Sequence, residues 1–382
     1  MAKYKLGDIC EIVSGSTPKT SVDAYWNGDI KWITPAELND DTYIITDSIR
    51  KITELAIQKN RLTSLPKGTV ILSSRAPIGK VAIAGCEMYC NQGFKNLICS
   101  DKINNKYLYW FLKGHTDFLD SLGRGATFKE ISKSIVSEIE INVPSIEQQK
   151  KVVRILEKVN GIIVIRKQEL NQLDMLIKSR FIEMFGDMKL NKRGWKLKSF
   201  EELTYLITDG EHATPKRTDK GIYLLSARNI LNHSLQLKDV DYINEKEYDR
   251  IAKRIIPQEG DILISCSGTV GRCCSVPSGF HFQMVRSVAL IRFKEYINPI
   301  FAEYMITSDY LQEQINSSKT VSSQANLFQG KIRTLKGFVP PIEMQNEFSV
   351  FVHKIDKSKL AVQKSLDELE TLKKSLMQEY FG

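Results

Sequence analysis

Residues 143–186 read VPSIEQQKKVVRILEKVNGIIVIRKQELNQLDMLIKSRFIEMFG, and residues 339–382 read VPPIEMQNEFSVFVHKIDKSKLAVQKSLDELETLKKSLMQEYFG. The two stretches align without a gap, so that Glu147 falls on Glu343 and the closing Phe-Gly pairs coincide. A repeat of this length indicates two copies of one supersecondary unit. The chain is therefore expected to consist of two half-molecules in tandem.

Each copy has the boundaries and periodicity of a long α-helix. The Val-Pro pair that precedes it disfavours helical geometry, and Ser145 is a candidate N-cap in the first copy, where the second copy has Pro341. Apolar residues then recur about every 3.5 positions, and at about 1.5 Å per residue such a helix is roughly 60 Å long. We expect the two helices to pack on each other as an antiparallel coiled coil. The alternative is two separate core helices.

Length and composition limit the class of protein. The chain has 382 residues and a net charge of +9, which fits two domains and favours a polyanionic partner such as nucleic acid. Neither a secretory signal nor a membrane-spanning apolar run is found, so we expect a soluble cytoplasmic protein. The cysteines and histidines do not show zinc-ligand spacing. We expect this chain itself to bind neither a metal nor a cofactor.

The remaining sequence mixes short strand patterns with helical ones, which favours α+β domains. Residues 49–60 and the aromatic stretch 104–118 are predicted helices, and Tyr107, Trp110, Phe111 and Phe118 are expected in a domain core. We predict an α+β fold, in which two similar mixed α/β domains are separated by the two long helices. The halves are expected to form a pseudo-twofold internal repeat.

The two variable segments share a skeleton under different sequences. GTVILS (residues 68–73) corresponds to GDILIS (residues 260–265), Gly79-Lys80 to Gly271-Arg272, and we align Tyr4-Lys5-Leu6 with Trp195-Lys196-Leu197. Fold positions thus recur while loop residues change. Two domains that read two different short sites require this combination.

These features together identify a family. The opening GSTP…YW.GDI.WITPAEL, the loop SSRAPIGK, and the duplicated VPSIEQQ and VPPIEMQ segments resemble the specificity subunits of type I restriction–modification systems over essentially the whole chain. The resemblance implies target-recognition domains at residues 1–143 and 188–339. It also implies conserved helical regions at residues 144–187 and 340–382.

The resemblance also implies function and partners. Each domain is expected to read one half of a bipartite, asymmetric site on double-stranded DNA, and the helices to fix the spacer. Two adenine-N6 methyltransferase subunits are expected to dock on this chain, together with ATP-dependent restriction subunits for cleavage. S-adenosylmethionine, ATP and Mg²⁺ are expected on those partners, and no membrane is involved.

Candidate DNA-binding residues are basic or amide side chains on loops, because such groups contact phosphates and base edges. In the first domain they are Lys19, Arg75, Lys80, Gln92, Arg124 and Lys129. In the second domain they are His212, Lys216, Arg217, Arg228, Arg272, Arg286 and Lys319. A solvated surface charge is the alternative for each of them.

Candidate partner-docking residues lie at the two helix starts: Glu147, Gln148, Gln149, Glu343 and Gln345. For Glu147 and Glu343 the alternative role is a favourable interaction with the helix dipole. For the three glutamines it is helix capping and local hydrogen bonding. Asn298-Pro299 is similar to part of an amino-methyltransferase motif, but we interpret it as an N-cap and first helical residue. We find no nucleotide-binding glycine loop. Two other functions stay open, a self-contained modification enzyme and a coiled-coil adaptor that binds only protein.

Overall fold

The computed structural model describes residues 2–39, 41–125, 129–317 and 326–382. The chain divides into two compact units, unit 1 (Met1–Lys167 with Lys364–Gly382) and unit 2 (Gln168–Gln363). Within the described ranges, no helix combines the length and apolar character that a membrane crossing requires.

Unit 1 contains two mixed sheets and several short helices. Its strands are β1 (Ala2–Lys5), β2 (Cys10–Ser14), β3 (Trp26–Ile33), β4 (Ile44–Ile45), β5 (Arg50–Ile52), β6 (Val70–Leu72), β7 (Val81–Ala84), β8 (Tyr89–Cys90), β9 (Lys95–Cys99) and β10 (Glu140–Val143). Its short helices are α1 (Leu6–Ile9), α2 (Glu54–Asn60), α3 (Asn105–Gly114), α4 (Thr116–Ser121) and α5 (Lys133–Glu138), and the long helix α6 (Ile146–Phe185) starts here. The sheets have the strand orders β2-β9-β6-β7-β4 and β5-β3-β8, and β1 pairs with β10.

Unit 2 repeats this plan. Its strands are β11 (Lys196–Ser199), β12 (Thr204–Asp209), β13 (Arg217–Thr218), β14 (Ile222–Leu225), β15 (Ile230–Leu231), β16 (Ser234–Leu235), β17 (Asp241–Ile243), β18 (Ile262–Ser265), β19 (Cys273–Ser275), β20 (Phe282–Met284), β21 (Val288–Phe293) and β22 (Lys336–Val339). Its helices are α7 (Phe200–Leu203), α8 (Glu245–Ala252), α9 (Pro299–Ile306), α10 (Asp309–Ser317), α11 (Gln329–Thr334) and the start of α12 (Ile342–Phe381). The main sheets have the orders β12-β21-β18-β19 and β13-β17-β14-β20.

The helices α6 and α12 are each continuous over 40 residues, as their periodicity predicts. In unit 1, Lys373 Nζ of α12 donates to Asn160 Oδ1 of α6 at 2.7 Å, and Lys167 pairs with Glu370 at 3.3 Å. Higher numbers in α6 meet lower numbers in α12, so the two segments are antiparallel. The prediction of antiparallel packing is confirmed.

Unit 2 contains the opposite ends of the same two helices. Lys359 Nζ lies 2.6 Å from Asp174 Oδ1, and Arg180 lies 2.9 Å from Glu347. Here too the higher number in α6 meets the lower number in α12. Buried Phe181 and Phe348 stand 5.3 Å apart, centroid to centroid, within the apolar core of this unit.

The internal repeat is visible in the strand registers. Ala2 pairs with Val143 and Lys196 pairs with Val339, while Leu6 N donates to Ile139 O at 2.8 Å as Phe200 N does to Leu335 O. Tyr4-Lys5-Leu6 therefore corresponds to Lys198-Ser199-Phe200. The alignment with Trp195-Lys196-Leu197 is wrong, because these short strands alternate lysines and carry little apolar pattern to fix a register.

Two predicted helices differ from the observed ones. Residues 50–52 form strand β5, whose buried Ile52 pairs with β3, and α2 begins only after Thr53, whose side chain accepts from Ala56 N. The aromatic stretch breaks at His115 into α3 and α4. Tyr107, Trp110 and Phe111 are buried as predicted, but Phe118 is 46% exposed because it lies beyond the break.

Candidate nucleic-acid interface

Both units contain the same hydrogen-bonded loop between two core strands. We call residues 73–80 and residues 265–272 the closed loops. Ser73 O accepts from Gly79 N at 3.1 Å, and Ser265 O accepts from Gly271 N at 3.0 Å. The glycines have φ of 87° and 92°, a left-handed conformation that favours glycine. The sequence correspondence of these two loops is thus a correspondence of structure.

A buried serine side chain also closes each loop. Ser73 Oγ donates to Pro77 O and accepts from Lys80 N, both at 2.8 Å. In unit 2, Ser265 Oγ donates to Thr269 O at 2.6 Å and accepts from Arg272 N at 3.0 Å. Both serines are fully buried. The backbone is therefore fixed independently of the side chains that the loop presents.

In unit 1, neighbouring loops join the closed loop. Ser74 N donates to Gly93 O at 2.7 Å, and Ser74 O accepts from Ile131 N at 2.9 Å. The Thr17 hydroxyl donates to the exposed Gln92 side chain. Arg124 is bridged through its backbone to Glu130. The structure thus brings Arg75, Gln92 and Arg124 into one group of loops.

Glu130 joins two of the basic side chains in this group. Its carboxylate accepts from Arg75 Nε at 3.0 Å and from Lys95 Nζ at 2.9 Å. Burial alone raises the pKa of the Glu130 carboxyl, but hydrogen bonds from Lys95 and Arg75 and their positive charges outweigh it and lower the pKa overall. Glu130 is therefore held in the charged form.

The other three candidates of unit 1 differ in their surroundings. Lys80 Nζ donates to Leu38 O at 2.6 Å and so turns towards the chain after β3. Lys129 forms an exposed ion pair with Asp120 at 2.6 Å. Lys19 is exposed, and no side-chain partner for it is found in the described ranges. Lys80 Nζ is thus engaged by the backbone, whereas Lys19 and Lys129 can reach a phosphate from the surface.

In unit 2, backbone contacts assemble an equivalent group. Arg286 N donates to Glu211 O at 3.0 Å, Cys266 N donates to Ser287 O at 2.8 Å, and Ala227 N donates to Ser287 Oγ at 3.0 Å. The loops that carry His212, Arg228, Arg272 and Arg286 are therefore adjacent. Lys319 lies outside the described residues.

Several basic candidates of unit 2 are paired with acidic residues. Asp241 accepts from Arg217 Nε at 2.9 Å and lies 3.1 Å from Arg228. His212 lies 3.2 Å from Asp209. Lys216 contacts Glu247 through its backbone N, which donates to the carboxylate at 3.3 Å. For the side chains of Arg272 and Arg286, no partner is found among the residues that the structure describes, and Arg286 is exposed.

The sequence interpretation missed the acidic and buried members of these groups. Glu130, Lys95 and Asp241 lie in the same hydrogen-bonded sets as the candidates, yet none was selected. Of these three, Lys95 could have been found from the sequence, because it begins an apolar strand and a buried lysine rarely lacks a charged partner. Its side chain is 8% exposed.

The docking candidates divide into two kinds. Gln149 and Gln345 are fully buried. Gln149 Oε1 accepts from Asn104 N at 2.8 Å and its Nε2 donates to Lys102 O at 3.1 Å and Pro144 O at 2.9 Å. Local hydrogen bonding, the alternative left open for Gln149, is therefore the role observed.

Gln345 makes the same three contacts in unit 2. Its Oε1 accepts from Asn298 N at 2.8 Å, and its Nε2 donates to Tyr296 O at 3.1 Å and Pro340 O at 2.8 Å. Asn298 also caps α9, since its side chain accepts from Ile300 N at 2.9 Å, as its interpretation as an N-cap predicts.

The exposed docking candidates are Glu147, Gln148 and Glu343. Gln148 N donates to Ser145 Oγ at 3.3 Å, so Ser145 caps α6 as predicted. The Gln148 side chain itself faces solvent. A partner can reach these three side chains, and their docking role stays a prediction.

Comparisons with known proteins agree with this architecture. The family described as type I restriction modification DNA specificity domain matches residues 1–175 and 192–371. The MjaIX type I restriction enzyme specificity subunit of Methanocaldococcus jannaschii is 30% identical over 403 residues, which cover 98% of this chain and 90% of that protein. The EcoprrI specificity subunit of Escherichia coli is 21% identical over 97% of this chain and 90% of its own length.

A solved structure gives the same fold. The crystal structure of the type I restriction–modification S subunit from M. genitalium superposes with a TM-score of 0.60 at 16% identity, covering 100% of this chain and 96% of that one. The predicted family and the predicted α+β repeat fold are confirmed. The chain therefore belongs to the family of type I restriction–modification DNA specificity subunits, and it is a non-catalytic DNA-recognition subunit.

Proposed function

We propose that each unit reads one half of a bipartite, asymmetric site on double-stranded DNA and that α6 and α12 fix the length of the unspecified spacer. One observation carries this proposal. The closed loops have the same hydrogen bonds in both units, but Arg75 of unit 1 stands where unit 2 has Ser267. Two loops with the same backbone hydrogen bonds and different exposed side chains are suited to recognising two different DNA sequences.

The chemistry of the candidate residues supports contact with DNA. Arginine addresses the guanine edge with two hydrogen bonds and glutamine addresses adenine, whereas lysine contacts to phosphate position a domain without reading sequence. Arg75 and Gln92 in unit 1, and Arg272 and Arg286 in unit 2, belong to the first class. Lys19, Lys129 and Lys216 belong to the second.

The partners follow from the same proposal. Two methyltransferase subunits that modify adenine N6 dock on this chain, with Glu147, Gln148 and Glu343 as exposed contacts at the starts of α6 and α12. ATP-dependent restriction subunits join the complex for cleavage. S-adenosylmethionine, ATP and Mg²⁺ bind to those partners, because in this proposal the residues of this chain recognise DNA and do not bind cofactors.

The test is a genome-wide map of N6-methyladenine in cells with and without this gene. We expect a single bipartite motif that depends on the gene. Seven residues that continue the coiled-coil pattern are then inserted after Lys167 and after Gln363, one heptad in each long helix. The spacer should lengthen while both half-sites stay the same, and a replacement of seven residues at each position without lengthening serves as the control. An unchanged spacer in the lengthened variant contradicts the proposal.

The two other functions predict different results. A self-contained modification enzyme transfers methyl groups when the purified chain alone meets DNA and S-adenosylmethionine. A protein-only adaptor gives an assembled complex that does not bind DNA, or binds it without the steep salt dependence that phosphate contacts impose. The recognition subunit is inactive alone and confers salt-sensitive, site-specific binding on the assembled complex.

A further inference from the structure

Glu130 is fixed in unit 1 through both its backbone and its side chain. Its N and O exchange hydrogen bonds with Arg124 at 2.9 and 3.0 Å. Its two carboxylate oxygens take one cation each, with Oε1 2.9 Å from Lys95 Nζ and Oε2 3.0 Å from Arg75 Nε. Because both its backbone and its carboxylate are held, Glu130 is a rigid support for a neighbouring side chain.

Lys95 restricts the Glu130 carboxylate to one position. Its side chain is 8% exposed, and its Nζ lies 3.4 Å from Ser74 Oγ as well as against Glu130. A buried ammonium requires a charged partner, because an unpaired charge away from water is strongly unfavourable. Lys95 thus holds the Glu130 carboxylate from the interior and leaves its second oxygen for Arg75.

Arg75 is bound by Glu130 on one side only. Its Nε donates to Glu130, its side chain is 44% exposed, and no partner for its terminal Nη atoms is found among the described residues. The guanidinium plane is therefore oriented, and its outer donors remain available. Two parallel N–H donors on a fixed plane match the N7 and O6 acceptors of guanine in the major groove.

The neighbouring carboxylate also selects the kind of contact. A phosphate placed against Arg75 would lie near the charged Glu130, which repels it, whereas a neutral base edge experiences no such repulsion. Orientation matters for two-point base recognition and little for a contact to phosphate. The arrangement thus favours a base over the backbone of the DNA.

Unit 2 lacks this charge arrangement at the same places. Ser267 and Asn326 form the backbone bridge that Arg75 and Glu130 form in unit 1. By the strand registers, Ala289 takes the place of Lys95. Arg75, Lys95 and Glu130 thus occur together in unit 1 and not at the equivalent positions of unit 2. An arrangement that recognises one half-site is expected to have this distribution.

We infer that Arg75 reads a guanine in the half-site of unit 1, and that Glu130 and Lys95 are positioning residues that orient its guanidinium. The inference rests on the proposed function. It names the base class for one unit and assigns roles to two residues that contact no DNA themselves. Arg75 is then a specificity-determining residue, and its loss relaxes one position of one half-site.

The test uses the full chain assembled with its methyltransferase subunits and maps N6-methyladenine for wild type, Arg75→Ala, Arg75→Lys and Glu130→Gln. We expect Arg75→Ala to lower the preference for guanine at one position of one half-site by roughly 10-fold or more. Arg75→Lys should relax the same position, because lysine keeps the charge but lacks the planar fork. Glu130→Gln should relax that position less, since its single amide oxygen can accept from only one of the two cations while Arg75 itself is retained.

The second half-site is the internal control, because unit 2 is unchanged and its motif should stay intact in every variant. Lys5→Ala is the matched ion-pair control, since Lys5 pairs with Glu138 at 2.6 Å and is 48% exposed on β1 of the same unit. Its motif should equal that of wild type.

Three results would overturn the inference. If Arg75→Ala left the motif unchanged but weakened methylation uniformly, and Arg75→Lys kept the methylation level of wild type, Arg75 would be a phosphate contact. Relaxation in Arg75→Ala without any in Glu130→Gln would remove the positioning role. A wild-type complex without any bipartite motif would overturn the proposed function itself, which separates that failure from the other two.

Discussion

In unit 1 the closed loop carries Arg75 against Glu130, whereas in unit 2 the same backbone bridge joins Ser267 to Asn326. The hydrogen bonds of the buried serine and of the left-handed glycine are nevertheless the same in both loops. The difference shows that the frame is specified by a few buried groups. Exposed side chains are then free to differ without a change in the frame.

The starts of the long helices show the same separation. Gln149 and Gln345 each make three hydrogen bonds to the residues before the aromatic helix and before their own helix. The exposed residues that follow them, Lys150 and Asn346, differ between the copies. Buried polar groups must be satisfied, and this requirement fixes their identity.

The largest expected effect comes from the two buried glutamines. Gln149→Ala and Gln345→Ala each remove a fully buried amide and its three hydrogen bonds, which leaves one N–H and two carbonyl groups of partly buried backbone without this partner. Each should lower the free energy of unfolding by roughly 3 kcal/mol. Urea unfolding followed by tryptophan fluorescence measures this change. Trp195 reports on unit 2, while Trp26 and Trp110 report on unit 1.

Gln148→Ala provides the control, because this neighbouring side chain is exposed. Its free energy of unfolding should stay within about 0.5 kcal/mol of wild type. If Gln149→Ala is as stable as Gln148→Ala while Gln345→Ala is destabilised, the equal hydrogen bonds of the two units contribute unequally to stability. The structural equivalence of the two helix starts would then not extend to their energetics.

The closing serines should give the next largest effect. Ser73→Ala and Ser265→Ala each remove a buried hydroxyl that both donates and accepts within its loop, and each should cost about 1–2 kcal/mol. In the methylation map, Ser73→Ala should disturb the half-site of unit 1 and Ser265→Ala the other half-site. Equal stability losses with effects on the same half-site would show that the loops do not read separate sequences.

The sequence determined the large features of this architecture well. The apolar periodicity of α6 and α12 predicted two continuous helices, because the signal is sustained over 40 residues in each. The closed loops were matched correctly from Gly79 and Gly271, since a left-handed backbone restricts the residue type.

Short elements and long-range polar contacts could not be predicted in the same way. Strands β1 and β11 have 4 residues each, too few to fix a register, and their alignment was wrong. Glu130 and Lys95 are 35 positions apart in sequence, and only the folded chain brings them together. The sequence thus selected basic loop residues, several of which the structure brings together, while the acidic group that contacts Arg75 was missed.

The smallest expected effect tests a difference inside the antiparallel helices. Lys373 aligns with Ile177, which is fully buried in unit 2. Lys373 Nζ donates to Asn160 Oδ1 at 2.7 Å and lies 5.1 Å from the centre of the Trp110 ring. Burial, followed by repulsion from Lys113 and Lys167, lowers the pKa of Lys373, although Asp41 and Glu370 oppose the shift.

The direction of the pH dependence follows from this lowered pKa. Between the lowered value and the ordinary value of 10.5, the unfolded chain binds more protons at Lys373 than the folded chain does. The free energy of unfolding of wild type should therefore rise, relative to Lys373→Met, as the pH increases through that interval. Urea midpoints of both proteins across this range measure the difference, and Lys374→Met, at an exposed neighbour, should show no such trend. A difference that stays constant or falls with pH would mean that Lys373 is as well solvated as Lys374, so that the two units would not differ in burying a charge between their helices.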